Sequence, residues 1–469
     1  MRKTTTTITA FLLAGMAFLS SFLGGCTLAP RYVRPDAPIP VSYGTAGEES
    51  ALPQWKEFFT DPVMQRLIAA ALENNRDYKV ALLNIEKTRA QYQIQRADLL
   101  PTVNAATSAD SQHLPSEFTG TGTRGISRQY SASLGFSAFE LDLFGRVRSL
   151  TESALEYFHS VENDARTARI SLMAEVAGVY LQLVSDKELL DITKSTYENR
   201  KGQYELVRNK HANGVASQLQ VSQAESIMEE ARSNVARYET AVGQDMNYLT
   251  LLLGIESNIV LPDVRRLADV TMLADVPEGL PSSLLERRPD IVAAEHRLMS
   301  ANANIGAARA NFFPTISLTG RLGSLSADAS DLFRGGAHYW QFLPSASLPL
   351  FDTGRNIARL EVSGKEKEIA VAQYERAIQG AFREVRDTLV QRENIGAQID
   401  AEEALLRATT TAFELASTRY DVGVDSYLNV LDAQRALYNA EQSNIATRLL
   451  RETNALTLFK ALGGGWEQE

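Results

Sequence analysis

The chain has a single cysteine among its 469 residues. No disulfide can form within it, and its stability must come from packing. Proline is absent between Pro115 and Pro262 and again after Pro349, and tracts of that length without proline permit very long helices. Basic clusters are missing too: 47 Lys and Arg stand against 57 Asp and Glu, a net charge of −10, which argues against nucleic acid as a partner. The five histidines, His113, His159, His211, His296 and His338, are scattered, and no H-E-x-x-H or cysteine cluster exists to hold a metal. Glu295-His296 reads as a charged patch on a helix. There is no G-x-S-x-G elbow, so the sequence offers no catalytic constellation, and neither an enzyme nor a cofactor is expected. The one phosphate-loop lookalike, Gly120-Thr121-Gly122-Thr123-Arg124-Gly125, lies between two strand-like segments with no helix after it and reads as a loop. The eight methionines form no track suited to soft metals.

What is present begins with an export signal. Arg2 and Lys3 precede an apolar run over 8–23, too short for a comfortable bilayer span of roughly 20 apolar residues. The run ends in Leu23-Gly24-Gly25-Cys26, which resembles a bacterial lipobox. That resemblance implies removal of residues 1–25 as a signal peptide and acylation, as with palmitate, of Cys26, the first residue of a lipidated linker over 26–60. Behind it stands Thr27 and not an inner-membrane-retaining Asp.

The rest is written twice. Leu72-Glu73, Asp77, Arg96-Ala97 and Pro101-Thr102 recur 213 residues later as Leu285-Glu286, Asp290, Arg309-Ala310 and Pro314-Thr315. Gly145-Arg146, Gly214-Val215 and Gly254 recur 209 residues later as Gly354-Arg355, Gly423-Val424 and Gly463. The period is far too long for a solenoid, so each copy is a large structural half. The first spans 61–260 and the second 282–469, joined by a connection over 261–281.

Within the proline-free tracts, Met173, Val176, Tyr180 and Leu183, and again Ile378, Phe382, Val385 and Leu389, step by three and four along an amphipathic, coiled-coil-like stripe. A helix over 146–209 runs for roughly 95 Å at 1.5 Å per residue. Gly214 and Gly423 then mark the hairpin reversals, and Gly254 and Gly463 cap the returning helices.

Ahead of each long helix the texture changes. In 130–138 apolar or small residues alternate with Ser and Gly, a period of two that means strand. With 101–110, 315–322 and 339–350 this makes four strands per chain, each close to the ~9 to 11 residues of a tilted membrane strand. Their polar face is Ser, Thr, Asn and Gly. A four-stranded sheet has two open edges, and unpaired backbone groups in hydrocarbon cost several kcal/mol each, so several chains must share one barrel. Two chains fill the interior with side chains, whereas three give twelve strands and a water-filled lumen.

Several stretches are similar to the TolC/OprM-type outer-membrane factors, in particular the lipoprotein branch that forms exit ducts of tripartite multidrug efflux systems. They are Glu57-Phe58-Phe59-Thr60-Asp61-Pro62, Ala71-Leu72-Glu73-Asn74-Asn75-Arg76-Asp77, Glu140-Leu141-Asp142-Leu143-Phe144-Gly145-Arg146, Leu285-Glu286-Arg287-Arg288-Pro289-Asp290, Leu431-Asp432-Ala433-Gln434-Arg435 and Lys460-Ala461-Leu462-Gly463-Gly464-Gly465-Trp466. The resemblance implies a membrane α+β fold: a homotrimer whose 12-stranded transmembrane β-barrel, four strands per chain, continues as a 12-helix periplasmic α-barrel closed at its tip. It implies a passive duct in the outer membrane, lipid-anchored and membrane-spanning, with a periplasmic adaptor (membrane fusion) protein and an inner-membrane transporter as partners and drugs or other small toxic compounds as cargo. Metal-ion efflux, type I protein secretion and a non-porous lipid-anchored coiled-coil scaffold are the alternatives.

The same resemblance places Leu428, Asp432 and Arg435 at the constriction, Tyr420 at a tip-linking position, and the turns at Gly214 and Gly423 at the adaptor's docking tip. Three-fold repetition of Asp432 makes a ring of carboxylates, which Arg435 neutralises in part; near 8 Å each pair repels by roughly 0.5 to 2 kcal/mol. Without the resemblance, the same two residues read as an ordinary exposed pair on a helix. Gln220 and Asp425 stand where the TolC branch carries an acid and a base that latch neighbouring hairpins, so that latch does not transfer.

Overall fold

The computed structural model describes residues 27–40, 54–115, 117, 125–256, 266–270, 272 and 287–464. The signal segment, Cys26, residues 120–124 of the phosphate-loop lookalike, Leu285-Glu286 and Gly465-Trp466 lie outside the described residues. The elements, in chain order, are α1 (Trp55–Phe58), α2 (Pro62–Asn74), α3 (Arg76–Ala97), β1 (Asn104–Leu114), β2 (Gly125–Glu140), α4 (Arg146–Ala212), α5 (Gln218–Leu253), a 3-10 turn Leu267–Asp269, α6 (Pro289–Ala310), β3 (Thr315–Ser326), β4 (His338–Ser347), α7 (Arg355–Asp421) and α8 (Tyr427–Ala461). A second 3-10 turn, Ala329–Asp331, lies between β3 and β4.

The chain divides into two compact units, each drawing on both repeats. One takes in residues up to Asp36 with Asn84–Glu162 and Ala293–Tyr374; the other takes in Ala37–Leu83, Asn163–Val292 and Glu375–Glu469.

The first unit holds the sheet, an antiparallel meander in the order β1-β2-β3-β4. Its register sets an apolar row, Ala105, Leu134, Leu322 and Trp340, beside a polar row, Asn104, Gly135, Arg321 and Gln341. Successive residues of a strand point to opposite faces, so one face suits lipid and the other water. The pairing of β2 with β3 slips between Phe136 and Phe139. There Ala138 takes a positive φ of 53°, and its amide donates to Thr319 Oγ1 at 3.0 Å, the mark of a bulge. All four strand expectations shift. β2 runs over Gly125–Glu140, beyond 130–138 at both ends, and β3 continues past 322 to Ser326. β1 begins three residues later than 101, because Pro101 has no N–H for the ladder, and continues past Asp110 to Leu114. β4 stops at Ser347, not 350, ahead of Pro349, whose ring excludes it from a paired position.

This unit also carries a strap of N-terminal chain. Arg34 pairs with Glu295 through Nε at 2.7 Å and Nη2 at 2.6 Å, Tyr32 OH donates to the same carboxylate at 3.0 Å, and Asn302 Nδ2 donates to the Pro30 carbonyl at 2.8 Å. Glu295, read from the sequence as part of a charged patch on a helix, is therefore buried, because the strap covers it. His296 pairs with Glu156 at 2.6 Å, and its ring lies 5.3 Å from that of His159. Far apart in sequence, these two histidines are neighbours in the fold. Among the described residues no group of three or more His, Cys, Asp or Glu is arranged to hold a metal.

The second unit is helical, and there the duplication is visible atom by atom. Asn75 Nδ2 donates to the Leu252 carbonyl at 2.9 Å, while Arg288 Nη1, 213 residues on, donates to the Ala461 carbonyl at 2.6 Å. Glu175 accepts from Tyr248 as its counterpart Glu384 accepts from Arg288. The stripe expected on α4 is buried at Met173, Val176, Tyr180 and Leu183; on α7, Ile378 and Val385 are buried and Phe382 and Leu389 half-buried. Phe58 and Phe59, from the first resembling motif, stack on and edge against Phe459 with centroids 4.3 and 5.3 Å away. Gly254 caps α5 in the left-handed region, and Gly463 takes up that conformation just past α8.

Candidate constriction at the helical hairpin turns

α4 is three residues longer than expected, reaching Ala212, because two backbone bonds close its last turn. Gly214 N donates to His211 O and Val215 N to Lys210 O, both at 2.8 Å. At the second hairpin Gly423 N donates to Tyr420 O at 3.0 Å and Val424 N to Arg419 O at 2.9 Å. Both are Schellman closures, with the glycine at φ 75° and 78°, a conformation that a Cβ disfavours. The valine after each glycine points to solvent. That leaves two apolar tips.

Past the first turn, Ser217 and Gln220 close a capping box: the Ser217 amide donates to Gln220 Oε1 at 2.8 Å and the Gln220 amide to Ser217 Oγ at 3.3 Å. Gln220 is thus occupied within its own turn. Asp425, beyond the second turn, accepts from Arg419 Nε at 3.0 Å and Asn429 Nδ2 at 2.6 Å. These two bonds, the arginine's first, hold its carboxyl below the ordinary range. The Arg419–Asp425 pair escaped the sequence reading, although two opposite charges flanking Gly423 six residues apart were the available signal.

Beneath the turns lies a core cluster of Val207, Val221, Ala224, Tyr427, Val430 and Leu431, which joins the two hairpins. Tyr420 packs against this cluster; its ring centroid is 5.3 Å from that of Tyr427 and carries Lys210 Nζ at 4.9 Å. Burial, with Tyr420 beside it, pushes the Tyr427 phenol up to about 12.

α8 is what brings Leu428, Asp432 and Arg435 together. At 100° per residue these three fall within roughly 60° of one another, and the buried arc of Tyr427, Val430, Leu431, Gln434 and Tyr438 is centred roughly 110° away. Packing that arc against the first hairpin leaves the other three on one exposed stripe. Leu428 is 55 % exposed. Arg435 Nη1 lies 3.8 Å from Asp432 Oδ1, an open contact that leaves most of the carboxylate's hydrogen-bonding capacity free. A row of one apolar, one acidic and one basic side chain on a straight helix can line a narrow passage; it has no nucleophile or general base set against an acceptor.

The family model described as outer membrane efflux protein matches residues 67–255 and 280–464. A Pseudomonas putida toluene efflux pump outer membrane protein, TtgC, is 47% identical over 97% of this chain and 96% of its own length. The Pseudomonas putida antibiotic efflux pump outer membrane protein ArpC matches to the same extent. A crystal structure of a membrane protein from Pseudomonas aeruginosa superposes with a TM-score of 0.88 at 41% identity, covering 94% of this chain and 98% of that one. The chain belongs to the outer membrane efflux protein family, and its sheet and paired helical hairpins are those of an outer-membrane efflux duct.

Proposed function

We propose that three copies of the chain close one twelve-stranded barrel in the outer membrane, continued by their helical hairpins toward the inner membrane, and that the exposed stripe of α8 constricts this passage. The carrying observation is the sheet itself. β1 and β4 are unpaired edges of a wall whose rows alternate apolar and polar, and in hydrocarbon such edges must find partners at several kcal/mol per unpaired group. Neighbouring copies supply them without adding a new element.

In this reading residues 1–25 are a cleaved signal, Cys26 carries the lipid, and 61–260 and 282–469 are the two repeats. The strap from Thr27 to Arg34, held at Glu295, keeps the residue next to the lipid fixed on the unit that holds the sheet. Asp432 from three copies forms a ring favouring cations, Arg435 offsets part of its charge, and Leu428 narrows the passage by dewetting. The turns at Gly214 and Gly423, with Val215 and Val424 exposed, dock a periplasmic adaptor that links the duct to an inner-membrane transporter. The pumps named in the two Pseudomonas putida relatives, for toluene and for antibiotics, support small apolar or amphipathic compounds as cargo.

Single-channel conductance in a planar bilayer tests this reading. A small, cation-preferring current that grows in Asp432→Ala is the expected result. No current from either protein, with insertion verified, would leave a lipid-anchored scaffold as the better description.

A further inference from the structure

The helix that bears the constriction stripe is braced by a residue from another helix. Arg200, on α4, has a side chain only 3 % exposed. Its Nη1 donates to the Ile227 carbonyl on α5 at 3.0 Å, and its guanidinium lies over the ring of Tyr438 on α8, 5.3 Å from the centroid. One heptad earlier on the same face of α4, Thr193 Oγ1 lies 3.0 Å from Tyr438 OH. Two residues of α4 therefore hold one ring of α8, the first through its face and the second through its hydroxyl.

An arginine is an expensive choice for this place. The contact to Glu230 Oε2 is long, 3.5 Å, and Arg200 Nε has no hydrogen-bond partner among the described residues. Burial pushes its pKa down, and the like charge of Arg435 adds to the effect against Glu230 and Tyr438. An apolar side chain of similar length would pack there at least as well, since replacing a buried charge by a hydrophobe is often neutral or stabilising. What a guanidinium adds is direction: a fixed hydrogen bond to one helix and a planar stack on another.

Tyr438 is the last residue of the buried arc whose rotation sets where Leu428, Asp432 and Arg435 point. It stands three residues from Arg435, within one helical turn. We propose that Arg200 is a positioning residue for the constriction: by stacking on Tyr438 while tied to the Ile227 carbonyl, it fixes the rotation of α8 that presents Leu428, Asp432 and Arg435 to the passage. The Thr193–Tyr438 bond is the second point of the same brace, and like charge keeps Arg435 leaning toward Asp432 and away from Arg200. The inference rests on the constriction proposed above.

The test uses the full-length protein in planar bilayers, with resting conductance and the reversal potential under a KCl gradient measured for wild type, Arg200→Met, Arg200→Lys, Tyr438→Phe and Asp432→Ala. Arg200→Met is expected to raise resting conductance roughly three-fold or more and to shift the reversal potential, with a thermal midpoint equal to or above wild type. A residue acting through packing alone would lower the midpoint instead. Tyr438→Phe, which keeps the stack and loses the hydroxyl, should give a smaller rise in the same direction, and Arg200→Lys, which keeps charge without the plane, should rescue only in part. Wild-type conductance and reversal potential in both Arg200→Met and Tyr438→Phe, beside an altered Asp432→Ala channel, would overturn the brace and leave the constriction standing. If Asp432→Ala is also unchanged, the constriction lies elsewhere and the brace falls with it.

Discussion

Asn75 and Arg288 occupy equivalent positions in the two repeats, and each donates to a carbonyl in the last turn of a returning helix, Leu252 for the first and Ala461 for the second. They are not equal in consequence. Arg288 also binds Asp290 at 3.0 and 2.7 Å and Glu384 at 3.0 and 3.1 Å, so one buried guanidinium joins the start of α6, the middle of α7 and the end of α8. Burial opposes its charge, and the carboxylates of Asp290 and Glu384 outweigh that and raise its pKa.

Removing the second-repeat clasp should therefore cost more than removing the first. Arg288→Ala leaves a buried carbonyl and two carboxylates without their donor, an expected loss of about 2 to 3 kcal/mol, below the ~3 to 5 of a fully buried pair because Glu384 reaches solvent. Asn75→Ala loses two neutral bonds, the one to Leu252 and the one its Oδ1 accepts from the Tyr78 amide at 2.8 Å at the start of α3, about 1 to 2 kcal/mol. Thermal midpoints of the two detergent-solubilised variants check the order. A lower midpoint for Asn75→Ala than for Arg288→Ala would count against the assignment.

Glycine substitutions separate backbone strain from close packing. Gly423 has φ 78° and open space where a Cβ would stand, so Gly423→Ala should cost only the strain of the left-handed region, roughly 1 to 2 kcal/mol, and assembly should survive. At Gly254, φ is 63° and a Cβ would sit 2.3 Å from the Asn74 carbonyl oxygen. That backbone cannot yield without displacing α2. Gly254→Ala should thus reduce the yield of folded protein far more than Gly423→Ala, a comparison read directly on a gel of membrane extracts.

Much of this architecture was legible in the sequence because its signals are local or periodic. Gly145-Arg146 and Gly354-Arg355 open the two long helices within one residue of their true starts, and Gly214 and Gly423 sit at the turns because only a residue at ease with positive φ closes them. Strand ends drifted by a few residues, since pairing and not composition decides where a ladder stops. The residues that were missed have partners far along the chain. Glu295 reads as solvent-exposed until Arg34, 261 residues away, lies over it, and Arg200 on an amphipathic helix looks like a surface charge until α5 and α8 enclose it. Burial of a charge is a property of the neighbours.

The strap makes its own prediction. Glu295 receives two bonds from Arg34 and one from Tyr32, and burial together with this carboxylate pushes the Tyr32 phenol upward. Glu295→Gln keeps the volume and loses the charge-assisted bidentate pair. Trypsin should then cut after Arg31 several-fold faster than in wild type, with the helical portion still intact; Arg34 is no site, because Pro35 follows it. Equal cutting rates would mean that the strap is held by its backbone bonds alone, such as Asn302 to Pro30.

A last prediction concerns pH. Asp186 on α4 accepts from Gln182 Nε2 at 3.0 Å, while Asp245 on α5 has Oδ2 buried without a partner among the described residues. Burial, with the adjoining Asp186 carboxyl, raises Asp245 to about 7. The sign follows from linkage. The folded protein holds a proton on Asp245 that the unfolded chain releases near pH 4, so between these values the native state binds more protons and stability declines as pH rises, levelling off above about 7. Asp245→Asn fixes the neutral form and removes this slope, since the amide meets Asp186 as a donor at every pH. Thermal midpoints from pH 5 to 8 should fall in wild type and stay flatter in Asp245→Asn, the two curves diverging toward the alkaline end. Parallel curves would mean that Asp186 and Asp245 do not share the proton, and any decline toward alkaline pH would have to be sought in other groups of the helical unit.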